Sequence, residues 1–229
     1  MERWEPLTMR RWILVATGLL LILSGATGYH ILTHYAPPPT LQGAYLQPAR
    51  KLDAFTLLDH HGSPFDRSDL KGQWHLISYG YTHCPDICPT TLVQVADMMA
   101  LLEQTEDYQD LRVLFYSVDG DRDRPEVLAQ YVPYFHPQFI GLTRAEQSRR
   151  QHKNFEQGLG IMARVGPEGV EHGLMLFLLN PRAQLQAVFK PQRNERGNYQ
   201  FSVSQLLKDY RAVRDYYATQ ADAIRSWAE

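Results

Sequence analysis

Residues 12–32 contain no Asp, Glu, Lys or Arg, and residues 12–23 are apolar almost throughout. A helix crosses the hydrocarbon core of a bilayer in roughly 20 residues. Arg3, Arg10 and Arg11 precede the segment, and no Lys or Arg follows it before Arg50. The positive-inside rule then keeps residues 1–11 cytoplasmic and exports everything after residue 32. Trp12 and Tyr29 fall where interfacial aromatic anchors belong. The expected arrangement is a single-pass anchor in an inner membrane, with the C-terminal domain in the periplasm or an equivalent extracytoplasmic space. A cleaved signal peptide is the alternative, because Ser24, Gly25 and Ala26 are small enough to present a cleavage site. A buried core helix fits poorly, since the run ends in a proline-rich tract.

Residues 33–50, with Pro37, Pro38 and Pro39 in succession, read as a stiff extended linker. Residues 51–229 are then a domain of ordinary size. The net charge of -2, from 23 basic and 25 acidic residues, gives no footprint for nucleic acid. Two cysteines in the whole chain exclude a multi-disulfide scaffold and a four-thiolate zinc site.

Period and punctuation supply the elements. Strands are expected at residues 55–58, 75–80, 111–118, 139–142 and 174–179, the last ended by Asn180-Pro181 and paired in a hairpin with 185–189. Leu92, Val95, Ala96, Met99 and Leu102 predict a helix over residues 89–104. Asp123 and Glu126 have capping-box spacing, with Asp123 as N-cap of a helix running to about Tyr131. Residues 144–155 read as a polar helix. Val203, Leu206, Leu207, Tyr210 and Val213 mark a closing one. Alternating strands and helices followed by a hairpin imply an α/β fold, a mixed sheet flanked by helices.

The distinctive chemistry lies in residues 79–90, Tyr-Gly-Tyr-Thr-His-Cys-Pro-Asp-Ile-Cys-Pro-Thr, between a buried strand and a helix. Pro89 suits a first helical turn and pushes Cys88 out of the α region. Cys88 is thus expected in the loop at the helix mouth, where partial positive charge favours a thiolate. Cys84 and Cys88 could close on one metal ion or on each other. A purely structural bridge this short would add little stability. Among nine histidines, His30 and His34 lie at the membrane edge, His60 and His61 in a polar turn, and His75 at a strand start. His136 and His152 read as surface residues. His83 abuts Cys84 but is expected to point the other way. His172, in the glycine-rich loop 166–173, is open between a ligand and a solvated side chain. Asp119 could shape the rim of a site, and Tyr79 and Tyr81 read as packing around it.

The cysteine loop, with Ser117-Val118-Asp119, Asp123, Pro125-Glu126 and His172 ahead of Leu178-Leu179-Asn180-Pro181, resembles the SCO/SenC family over residues 55–190. That resemblance implies a thioredoxin-like fold tethered to a membrane. It implies a copper ion bound by Cys84, Cys88 and His172. The implied partner is cytochrome c oxidase subunit II or a similar cuproenzyme, whose dinuclear copper centre such proteins help to assemble, with a thioredoxin-like reductant for the cysteines. Gly120, Arg124, Glu171 and Gly173 depart from the family pattern, and the last two flank the implied histidine. Two soft thiolates and an imidazole suit copper. A thiol-disulfide oxidoreductase that keeps the oxidase cysteines reduced is the competing reading. Against it, general thioredoxin-type enzymes use Cys-x2-Cys and a cis-proline, and this chain has one more residue between the sulfurs and His172-Gly173 in place of that proline. A redox or copper sensor is a third reading, with no signalling module to support it.

Overall fold

The computed structural model describes residues 9–34, 37–105, 110–145, 151–166, 169–195 and 197–226. Side chains at 9–10, 27, 29–34, 165, 169–172 and 222–226 lie outside that description. The chain forms two compact units, one of residues 1–38 with 216–229, the other Pro39–Asp215.

In the first unit, Met9–His34 is one helix, α1, which contains the uncharged run. Its described large side chains are exposed, with Leu20 and Leu21 each at 70%. Among the described residues no helix is long and apolar enough to cross a membrane. The continuous stretch of α1 with described side chains stops at Ala26.

The second unit holds, in chain order, β1 (Gly43–Lys51), β2 (Thr56–Asp59), β3 (Pro64–Asp66), β4 (Trp74–Gly80), α2 (Ile87–Glu103), β5 (Leu111–Ser117), α3 (Pro125–Tyr131) and β6 (Ile140–Arg144). After these come α4 (Gln151–Leu159), β7 (Ala163–Gly166), β8 (Gly169–His172), β9 (Leu176–Asn180), β10 (Gln184–Phe189), β11 (Gln192–Arg193), β12 (Tyr199–Gln200) and the start of α5 (Val203–Ser226). Eight strands form one sheet in the order β1-β10-β9-β4-β5-β6-β2-β3. The β4–β5 and β5–β6 pairs are parallel, and the other neighbours are antiparallel. The architecture is therefore the expected mixed α/β, a central sheet flanked by helices.

The centre of the sheet explains why the strongest expectations held. All seven residues of β4 are buried, as an inner strand covered on both faces requires. Side chains alternate along it, so Ile77 and Tyr79 join one core with Leu114, Tyr116, Phe177 and Phe155. Ser78 and Gly80 face the other side, where α2 packs against the strand. The helix buries Cys88, Leu92, Val95, Met99 and Leu102 on one stripe, as its spacing required.

Several elements depart from the sequence reading. Residues 43–50, expected within the linker, form with Lys51 the edge strand β1 against β10, with a register shift between Tyr45 and Arg50. Pro48 hides the strand in sequence; an edge position tolerates its missing N–H. The strand expected at 139–142 is present as β6 but runs on to Arg144, so residue 144 is strand and not the start of a helix: Leu57 of β2 pairs with Arg144. Of the polar helix expected over residues 144–155, α4 contains 151–155, and residues 146–150 lie outside the described residues. The Asp123 capping box does not form. Arg124 occupies the N-cap of α3 with no side-chain hydrogen bond, because the Asp123 carboxylate is turned inward.

His75, expected merely to begin a strand, is 2% exposed. Burial holds its pKa down at about 4, against 6.5 when free. The folded state thus prefers the neutral ring, so the stabilisation is complete above about pH 6.5 and fades as pH falls toward 4. Between about pH 7.5 and pH 5 this one group should remove about 2 kcal/mol of stability. Urea midpoints at the two pH values should lie closer together in His75→Leu than in wild type. An unchanged gap would remove His75 from the account.

Candidate metal centre

The dithiol stands where the carboxyl end of β4 meets α2. The Val118 N–H donates to the Gly80 carbonyl at 2.9 Å, tying the loop after β5 to the end of β4. A turn follows, closed by the Cys84 N–H on the Tyr81 carbonyl at 3.2 Å. Cys88 lies in the first turn of α2, one residue deeper than the helix mouth expected for it. Both cysteines are free thiols and both are buried, Cys84 at 9% exposed and Cys88 at 3%. The Cys88 N–H donates to Cys84 Sγ at 3.4 Å. One of the unpaired N–H groups that begin any helix is therefore capped by sulfur, and the positive end of α2 faces Cys84. Cys88 does not become the easy thiolate anticipated. Burial, reinforced by its hydrogen bond with Cys84, pushes its thiol well above the ordinary range.

A buried carboxylate organises the loop from behind. Asp123 is fully buried. Its Oδ2 accepts the Thr82 N–H at 2.8 Å and the Ser117 hydroxyl at 2.6 Å. Its Oδ1 accepts the Thr82 hydroxyl at 2.6 Å. Desolvating a carboxylate is costly unless its lone pairs find donors, and here three converge on it. Asp119 is also buried, and Arg122 grips its Oδ2 at 2.5 Å. Its role is to pair Arg122 and to close the turn through carbonyl bonds to the Arg122 and Asp123 N–H groups. Tyr131, from α3, has a buried hydroxyl with no hydrogen-bond partner among the described residues. Burial, then the charges of Cys88, Cys84 and Asp123, hold it protonated. It is a hydrogen-bond donor that sequence reasoning missed, as it missed Thr82 and Ser117. Only the polar Ser117 at the end of an apolar strand hinted at them.

The backbone of His172 ends β8 and pairs with Ala163 of β7, so the expected loop is a hairpin. Its side chain lies outside the described residues. The next residue, Gly173, is at the sheet: a Cβ there would stand 2.8 Å from Tyr79 Oη. Tyr79 immediately precedes Gly80 on β4, so the hairpin returns at the strand end that carries the cysteine loop. The departure at 173 has a steric reason, because the tyrosine hydroxyl fills the space a side chain would need. Among the described residues no group of three His, Cys, Asp or Glu side chains is arranged to hold a metal.

A family model described as SCO1/SenC matches residues 43–207. The chain belongs to the SCO1/SenC family. A mitochondrial SCO2 homologue of Mus musculus is 37% identical over 134 residues, covering 56% of this chain and 51% of that protein. One from Danio rerio is 30% identical, covering 77% and 66%. The chain thus spans between about half and two thirds of the length of these curated relatives. The crystal structure of Arabidopsis thaliana ScoI with copper bound superposes with a TM-score of 0.62, at 26% identity, over 72% of this chain and all but 1% of that one (99% covered). The two free sulfurs of this SCO1/SenC protein fit the same cargo in chemical type: soft donors, adjacent, and shielded from water.

Proposed function

We propose that this SCO1/SenC protein is a membrane-tethered copper carrier that holds the ion through Cys84, Cys88 and His172. The observation that supports it most is the pair of free, adjacent, buried thiols at the junction of β4 and α2, in a family with copper-bound solved members. Cys88, whose thiol burial holds protonated, is a poor nucleophile for disulfide exchange. A soft metal can displace thiol protons and gain two strong bonds to the pair. Copper loading and a Cys84–Cys88 disulfide exclude each other, so the redox state of the pair gates delivery. The recipient is cytochrome c oxidase subunit II or a similar cuproenzyme, as the family resemblance implies. α1, with exposed leucines and isoleucines and with Arg10 and Arg11 in its first turn, is the anchor in an inner membrane, and the carrier domain works on the extracytoplasmic side.

The test is metal analysis of the reduced full-length chain, with zinc as competitor. About one copper per chain is expected, with sulfur-to-copper charge-transfer absorption in the cupric form. His172→Ala should weaken binding about a hundredfold or more, since even residues that only orient metal ligands cost 10–100-fold. Equal losses in His172→Ala and His83→Ala, or none in His172→Ala, would defeat the ligand assignment.

A further inference from the structure

The sulfurs that must capture the ion are buried, yet any donor or recipient of copper approaches from solvent. His83 is the exposed imidazole of the dithiol loop. It adjoins Cys84 in the chain, and its side chain is 64% exposed. His83 Nδ1 lies 3.1 Å from the Thr82 hydroxyl oxygen and 4.0 Å from Asp123 Oδ1.

The hydrogen-bond chain fixes the ring's tautomer. The Thr82 hydroxyl has one proton, and it goes to Asp123 at 2.6 Å, since that carboxylate only accepts. Thr82 can then offer His83 nothing but a lone pair. Nδ1 must be the protonated nitrogen, and Nε2 is left with its lone pair directed away from the loop. An imidazole whose inner N–H is tied to an oxygen that is itself tied to a carboxylate is the arrangement that orients metal-binding histidines.

We infer that His83 Nε2 is the transfer ligand of this site, an exposed imidazole that takes copper from a donor, or yields it to a recipient, before and after the ion sits on Cys84 and Cys88. Thr82 and Asp123 are its positioning residues. The step is ligand exchange without redox change. A donor–copper bond breaks as the Nε2–copper bond forms; the two sulfurs then displace the imidazole, and their thiol protons pass to solvent. Unloading runs the same steps backwards. This rests on the copper-carrier reading and adds the route to it.

A transfer ligand changes both rates and leaves the equilibrium alone, which separates it from a resident ligand. Copper(I) supplied as its bicinchoninate complex to the reduced full-length chain reports loading. The reverse competition reports unloading. In His83→Ala both rates should fall about tenfold, the lower end of what an imidazole's support is worth, while Kd stays within about twofold. His61→Ala, which removes another histidine outside the dithiol loop, should leave the rates unchanged. Thr82→Val keeps the Thr82 N–H bond to Asp123 and should reproduce part of the slowing. Independently of copper, the imidazole 15N shifts of His83 should show Nδ1–H in wild type and a mixture of tautomers in Thr82→Val. Unchanged rates in His83→Ala, a loss of affinity as large as that of His172→Ala, or an Nε2–H tautomer in wild type would each overturn the inference and leave the copper site standing. A wild-type chain that takes up no copper would remove both.

Discussion

Gly80→Ala should leave the protein folded and lower its copper affinity about tenfold to a hundredfold. A Cβ built on Gly80 comes within 2.5 Å of Cys88 Sγ and 3.3 Å of Cys88 Cβ. Nonbonded heavy atoms settle near 3.5–4.0 Å, so the sulfur must retreat by about 1 Å. Overpacking of this kind costs about 1–3 kcal/mol. Here the strain falls on the atom proposed to bind metal, and a site displaced by more than about 0.5 Å loses its productive geometry. Each 1.4 kcal/mol of misfit is a factor of ten in Kd. Chelator competition on the reduced protein gives the affinity, and a thermal melt shows that the fold survives. Wild-type affinity in Gly80→Ala would mean that Cys88 finds an equivalent rotamer, and that the glycine is not there for the sulfur.

Asp123→Ala should destabilise the protein by about 3 kcal/mol, because it removes the acceptor of three hydrogen bonds at once, one from the buried Ser117 hydroxyl and two from the N–H and hydroxyl of half-buried Thr82. For a chain of this size that lowers the melting temperature by roughly 10 °C. Asp123→Asn keeps one acceptor oxygen and should lose about half as much. If Asp123 served only as the N-cap that its spacing to Glu126 suggests, the alanine would cost about 1 kcal/mol. A loss that small would restore the capping reading and remove Asp123 from the cysteine loop.

The elements most legible from sequence were those under a single strong constraint. β4 and β9 are near-continuous apolar runs because both faces of the central sheet are covered, and α2 shows its period because one stripe meets that sheet. β1 was hidden because an edge strand needs neither alternation nor an unbroken set of N–H donors. Residue 144 was misread because the polar face of a strand near a sheet edge resembles a polar helix one residue at a time. Asp123 was misread for a different reason. A local motif and a long-range partnership compete for the same side chain, and only the latter satisfies a carboxylate that folding has cut off from water.

Sequence alone determined the donor set of the candidate site: two soft sulfurs four positions apart at the start of a helix. These follow from residue identity and spacing, which are local. Tertiary structure alone decided that the Cys84 sulfur caps α2, that burial pushes the Cys88 thiol up, and that Thr82 lies between His83 and Asp123. The last of these joins groups 41 positions apart in the chain, brought together when the ends of β4 and β5 close over the same buried carboxylate.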